Sequence, residues 1–162
     1  MNANQTSRRK TGQLPLKLRI GHKTDVRTQF AALCWRIKKD KLQICLVTTR
    51  RSGRWILPKG WPMHNETPAQ AAATEAWEEA GLKGQGVDHC LGAYSSVKPL
   101  ADQTAPVVVM VYPVAVAKTA DTWPEQKERK RKWVSPKKAA TLLSEPGLRK
   151  IVKGFDPAKL PR

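Results

Sequence analysis

Acidic residues are scarce in this chain. Thirteen Asp and Glu stand against 30 Lys and Arg in 162 residues, which leaves a formal net charge of +17 and a pI near 10.3. A field of that sign attracts polyanions, whether nucleic acid, anionic lipid or a small multiply phosphorylated substrate, without choosing among them. Cysteine is scarce too. Cys34, Cys45 and Cys90 are odd in number, lie in apolar stretches and have no metal-ligand spacing. They argue against a disulfide framework and for buried free thiols in a reducing, cytoplasmic setting. Long apolar runs are missing: the longest, Pro106 to Ala117, is strand-like and far short of the roughly 20 residues of a membrane span. The first residues, MNANQTSRRK, hold no apolar segment of the secretory kind. No internal repeat or low-complexity linker divides the chain. With 40% hydrophobic residues, its length suits one domain with a substantial core.

Residues 1–24 carry Arg8, Arg9, Lys10, Lys17, Arg19 and Lys23 without an acid and read as a basic flexible arm, with a short strand at Leu14 to Ile20. Residues 25–155 read as the folded domain and 156–162 as a tail. Gln29 to Ile37 and Leu42 to Thr49 look like paired strands, and Trp55 to Leu57 like a short strand stopped by Pro58. Thr67-Pro68-Ala69-Gln70 is a capping box with Pro at the first helical position, and Gly81 is a stop signal, so a helix is expected from Pro68 to Ala80. Gly84 and Gly86 read as a break before strand residues Val87 to Lys98. Ala105 to Lys118 reads as a strand buried on both faces before Pro113. A short strand at Lys132 to Ser135, a helix capped by Ser135 and a last helix from Gly147 to Gly154 complete a mixed α/β order.

The central helix concentrates the few acids. With Glu75 at zero and 100° per residue, Glu78 falls at about −60° and Glu79 at about +40°. Three carboxylates share a stripe, with Ala69, Ala73, Ala76, Trp77 and Ala80 opposite as a packing face. Such crowding is costly unless a cation neutralises it, and Mg²⁺ commonly links protein carboxylates to substrate phosphates. A bare E-x-x-E-E is more often a solvated surface, so the spacing around it decides.

That spacing is Gly60, five residues, Glu66, seven residues, Thr74, then Glu75-Ala76-Trp77-Glu78-Glu79-Ala80-Gly81-Leu82. It resembles the Nudix box, G-x5-E-x7-R-E-U-x-E-E-x-G-U with U apolar, at every fixed position except the Arg, which is Thr74. Arg54 to Gly60 resembles the family's lead-in, and Lys130-Arg131-Lys132-Trp133-Val134 is similar to a segment of its diphosphoinositol polyphosphate and dinucleoside polyphosphate phosphohydrolase branch. The resemblance implies an α/β/α sandwich, with the catalytic loop and helix between strands of a mixed sheet. It also implies hydrolysis of a phosphoanhydride with Mg²⁺ or Mn²⁺. Glu75 and Glu79 would bind metal with the carbonyl of Lys59, while Glu78 would be a ligand or the general base. Gly60, Glu66 and Gly81 would shape the box, with Glu66 bracing its loop. A base from outside the box would be Asp102, Glu125 or Glu128.

The family's Arg holds a catalytic carboxylate and the loop in place, so Thr74 implies reduced turnover that an Arg at 74 would raise. Arg50, Arg51, Arg54 and Arg131 are the candidate substrate cations, since Arg forks suit phosphate. The four tryptophans Trp55, Trp61, Trp123 and Trp133 read as packing before base-stacking, and His64 as a loop residue. A diadenosine polyphosphate or diphosphoinositol polyphosphate is the expected substrate. The basic surface leaves nucleic acid open as a partner, either as an RNA 5′ end to be cleaved or as a ligand of a module that has lost catalysis. The oligomeric state is not legible.

Overall fold

The computed structural model describes residues 27–100 and 103–161. The expected basic arm, its strand at Leu14 to Ile20, and Asp102 lie outside the described residues. Eight strands form one mixed sheet: β1 (Thr28–Lys38), β2 (Lys41–Thr48), β3 (Trp55–Ile56), β4 (Lys59–Gly60), β5 (Leu82–Gly86), β6 (Gly92–Leu100), β7 (Gln103–Thr119) and β8 (Arg131–Val134). Helix α1 (Pro68–Ala80) interrupts them, and α2 (Pro136–Leu142) and α3 (Pro146–Lys153) follow. The spine runs β3-β2-β1-β7-β5, with β4 on β1, β6 on β7 and β8 on β2. Only β1 and β7 pair in parallel; the rest are antiparallel.

Alternation along the strands sends successive side chains to opposite faces, and each face has its own core. Ala31, Leu33, Ile44, Leu46, Val109 and Val111 meet Leu143, Leu148, Val152 and Phe155 on the α2–α3 side. Phe30, Ala32, Cys34, Cys45, Val47, Tyr112 and Val114 meet the alanines of α1 on the other. The result is the expected α/β/α sandwich. Among the described residues no helix is long and apolar enough to cross a membrane.

Three elements differ from their sequence pattern. Leu82–Gly86 is a strand on β7, not a break. Its glycines are there for close approach: a Cβ on Gly84 would overlap the Ala115 carbonyl, and one on Gly86 the Ala69 carbonyl. Among the described side chains of β7, burial on both faces is confined to Val111 to Val114, and Val108 is 47% exposed, because α1 covers just the second half of the strand. The final segment is packed. Phe155 is buried against Trp35, a 3₁₀ turn spans Pro157–Lys159, and Leu160 rests on the core.

Candidate active site

Helix α1 begins and ends where its caps dictate. Thr67 Oγ1 accepts from Gln70 N at 3.1 Å and Thr67 N donates to Gln70 Oε1 at 2.9 Å, so two otherwise unpaired amides are satisfied reciprocally. Gly81 ends the helix at φ 65°, a left-handed position that favours glycine. A Cβ there would also stand 2.7 Å from the Trp123 ring.

The buried sector of α1 takes in one of the acids, Glu79, instead of opposing all three. Pro68, Ala69, Ala71, Ala72, Ala76, Glu79 and Ala80 are buried, whereas Ala73 and Trp77 are only half-buried. The helix packs against β1, β5 and β7 and also over β4, so the edge of its packing face carries Glu79 inward. Glu79 is 5% exposed. Its Oε2 accepts from Lys59 N at 3.3 Å and its Oε1 faces Arg129 Nη2 at 3.2 Å. Burial raises the Glu79 carboxyl from an ordinary 4.5 to about 8. Arg129 opposes that shift, and the charges of Glu75 and Glu125 add to it. Glu75 lies over Gly60 so closely that a Cβ on that glycine would overlap its carboxylate. Glu78 is half-buried on the outer edge of the stripe.

The loop joining β7 to β8 brackets the C-terminal end of α1. The last carbonyls of a helix have no partner within it. Here Glu125 N donates to Glu78 O at 3.0 Å, Trp123 Nε1 to Glu79 O at 3.0 Å, and Arg131 Nη1 to Ala80 O at 2.8 Å. Ala120 N donates to Gly81 O at 2.8 Å. From the same loop, Arg129 Nη2 lies between Glu79 and Glu125, and its Nη1 donates to Thr48 O at 3.0 Å. Nothing in the sequence separates Arg129 from its basic neighbours.

The candidate substrate arginines have different fates. Arg50 pairs with Glu125 and Glu128, and so joins the acidic helix through Arg129. Arg54 lies 3.9 Å from Glu145. Arg51 is exposed, without an ion pair among the described residues. Arg131, expected among substrate contacts, spends Nη1 on the carbonyls of Ala80 and Ala120 and stacks on Trp123 at 4.1 Å. The tryptophans pack: Trp55 and Trp61 lie on the core, and Trp133 lies beneath Arg36 at 3.9 Å. Glu66 N closes a turn on Met63 O, while its Oε2 is buried without a partner among the described residues. Cys34 and Cys45 are buried thiols pushed up by burial, Cys45 to about 12, and so are unreactive. Cys90 donates to Gly92 O.

Among the described residues, no three His, Cys, Asp or Glu side chains form a ready-made ligand cluster. Mg²⁺ does not need one, since it keeps several waters and takes one or two carboxylates plus substrate phosphates. The donor set fits such an ion. Glu75, Glu78, Glu79 and the Lys59 carbonyl are hard oxygen donors, and the Glu79 carboxyl is raised first by burial, to which the charges of Glu75 and Glu125 add.

Comparison with known proteins agrees with the fold. The NUDIX domain matches residues 27–155. Nudix hydrolase 16, mitochondrial, of Arabidopsis thaliana is 32% identical over 119 residues, covering 70% of this chain and 66% of that protein. Human diphosphoinositol polyphosphate phosphohydrolase 3-beta is 30% identical over 115 residues, covering 70% and 66%. The chain thus spans just under two thirds of these relatives' length. Among solved structures, the E. coli dihydroneopterin triphosphate pyrophosphohydrolase superposes with TM-score 0.61 at 16% identity, covering 80% of this chain and 94% of that one. The C. elegans Ap4A hydrolase binary complex superposes with TM-score 0.59 at 17% identity, covering 79% and 93%.

Proposed function

The chain belongs to the Nudix family, and from that membership and the acidic helix we propose that it is a metal-dependent hydrolase of a phosphoanhydride bond. The observation that carries the reading is Glu79, drawn into the interior beside Glu75 and tied to the amide of Lys59. A buried, partly neutral carboxyl is a poor way to stabilise a helix end and a good way to receive a cation. Glu75, Glu79 and the Lys59 carbonyl would hold Mg²⁺ or Mn²⁺, whose bound form polarises phosphoryl oxygens and offsets developing charge. Glu78, half-buried at the outer edge of the stripe, is the general base that takes the proton of the attacking water. Gly60 keeps the loop close enough to Glu75 for one centre.

The substrate we favour is a highly anionic small molecule, a diphosphoinositol polyphosphate or a diadenosine polyphosphate. The net charge of +17 and the exposed Arg51 on the turn before β3 support it. The names of two kinds of relative, a diphosphoinositol polyphosphate phosphohydrolase and an Ap4A hydrolase, point the same way. Arg50 and Arg54 stand on the same turn and can exchange their carboxylate partners for phosphate.

The test is hydrolysis with Mg²⁺ or Mn²⁺ of diphosphoinositols, dinucleoside polyphosphates, nucleoside diphosphate sugars and triphosphorylated RNA, beside Glu78→Gln. Glu78→Gln should lower kcat by about 10²-fold or more, as expected for a lost general base. Turnover of the RNA alone would move the substrate to an RNA 5′ end. Metal-independent binding with no turnover of anything would make the domain a binding module.

A further inference from the structure

Helix α1, PAQAAATEAWEEA, holds three glutamates and no Lys or Arg. The cation that steadies its acids must therefore come from elsewhere in the chain. Position 74 does not supply it: Thr74 Oγ1 donates to Gln70 O at 3.1 Å, back into its own helix. Arg129 does reach one of these acids. Its side chain is 8% exposed, and its guanidinium touches Glu79 on α1, Glu125 on its own loop and the carbonyl of Thr48 at the end of β2. A planar fork held on three elements leaves little freedom for the carboxylate it faces. Glu79 is held from both sides, Oε1 by Arg129 and Oε2 by the Lys59 amide.

We propose that Arg129 is the positioning residue of the acidic site, supplying from the β7–β8 loop the cation that α1 lacks. It acts through Glu79 and does not touch the reacting atoms. The bracket around the helix end explains how so distant a residue can be accurate. Glu125, Trp123 and Arg131 tie the loop to the carbonyls of Glu78, Glu79 and Ala80, so Arg129 and Glu79 cannot drift apart independently. The sequence pattern implies that an Arg at position 74 would raise turnover. With Arg129 already in place, Thr74→Arg alone brings no gain.

The catalytic consequence rests on the proposed metal-dependent hydrolase; the positioning itself does not. The experiment therefore has two arms. In the first, Thr74→Arg, Arg129→Ala, Arg129→Lys and Arg129→Ala/Thr74→Arg are compared for kcat, KM and Mn²⁺ binding without substrate. Arg129→Ala should lower kcat by about tenfold or more with KM within about twofold, and weaken Mn²⁺ binding. Arg129→Lys should fall between, the double variant should recover part of the loss, and Thr74→Arg alone should match the wild type. A gain in kcat/KM from Thr74→Arg alone, or no effect of Arg129→Ala, would overturn the proposal.

The second arm uses the metal-free protein and thermal unfolding of Arg129→Ala, Glu79→Gln and the pair. Arg129→Ala should lower Tm clearly in the wild type and by less than half as much in Glu79→Gln. Additive effects would overturn the positioning role. Should the wild type neither bind Mn²⁺ nor hydrolyse any substrate, the hydrolase reading falls while this second arm still decides the role of Arg129.

Discussion

The helices on the two faces of the sheet obey opposite rules. Helix α3 follows local physics: Lys150 and Lys153 occupy its last turn, where the negative end of the helix dipole favours cations, and Leu148 and Val152 enter the core. Helix α1 breaks those rules. Its last turn carries Glu78 and Glu79, carboxylates at the wrong end of the dipole, and one of them is buried. Apolar burial anchors α3 without a carboxylate in its core. Helix α1 needs partners 44 to 51 residues away in sequence to bind its carbonyls and bring it a cation. Local rules broken in one place, with compensation imported from afar, are what a functional site looks like.

Each face can be broken separately. Leu148→Ala removes a fully buried side chain from the α3 face and should cost about 2–5 kcal/mol, read by denaturant unfolding, while turnover per folded molecule holds. A comparable loss of turnover would mean that the two faces are not independent. Gly81→Ala strikes the α1 face, forcing a side chain into a φ of 65° and against the Trp123 ring. It should cost about 1–2 kcal/mol and, unlike Leu148→Ala, lower turnover as well, because the bracket loosens where Glu79 is held.

A further effect is a pH dependence confined to the α1 face. The Glu79 carboxyl titrates near 8 in the folded protein against an ordinary 4.5, so between those values the folded state keeps a proton that the unfolded chain has released. Its contribution to stability is therefore complete below about pH 4.5 and is lost as pH rises through 8. Metal-free Tm should decline from pH 6 to 9, and the decline should shrink in Glu79→Gln or with added Mg²⁺. An equal slope in Glu79→Gln would place the titrating group elsewhere.

Much of this was legible because it is local. Thr67, Pro68 and Gly81 mark both ends of α1, and the glutamate spacing carries the family resemblance, since caps and helical periodicity act over a few residues. What the chain hid depends on distant contacts. The glycines of β5 read as a break because the Ala115 and Ala69 backbones they admit are remote in sequence. Glu79 read as part of an open acidic stripe because periodicity describes a helix without saying which edge the sheet will cover. Arg131 read as a substrate contact and Arg129 carried no signal, since charge alone does not reveal which carbonyl or carboxylate a guanidinium will find. Leu160 looked like part of a tail because the core it rests on is built from residues remote in sequence.

The central claim is that chemistry resides on the rule-breaking face. Its most direct measurement is Mg²⁺-dependent hydrolysis of a diphosphoinositol polyphosphate and a diadenosine polyphosphate by Glu78→Gln, with Tm recorded on the same samples. The account predicts kcat lower by about 10²-fold or more at an unchanged Tm. Undiminished turnover by a fully folded Glu78→Gln protein would contradict it.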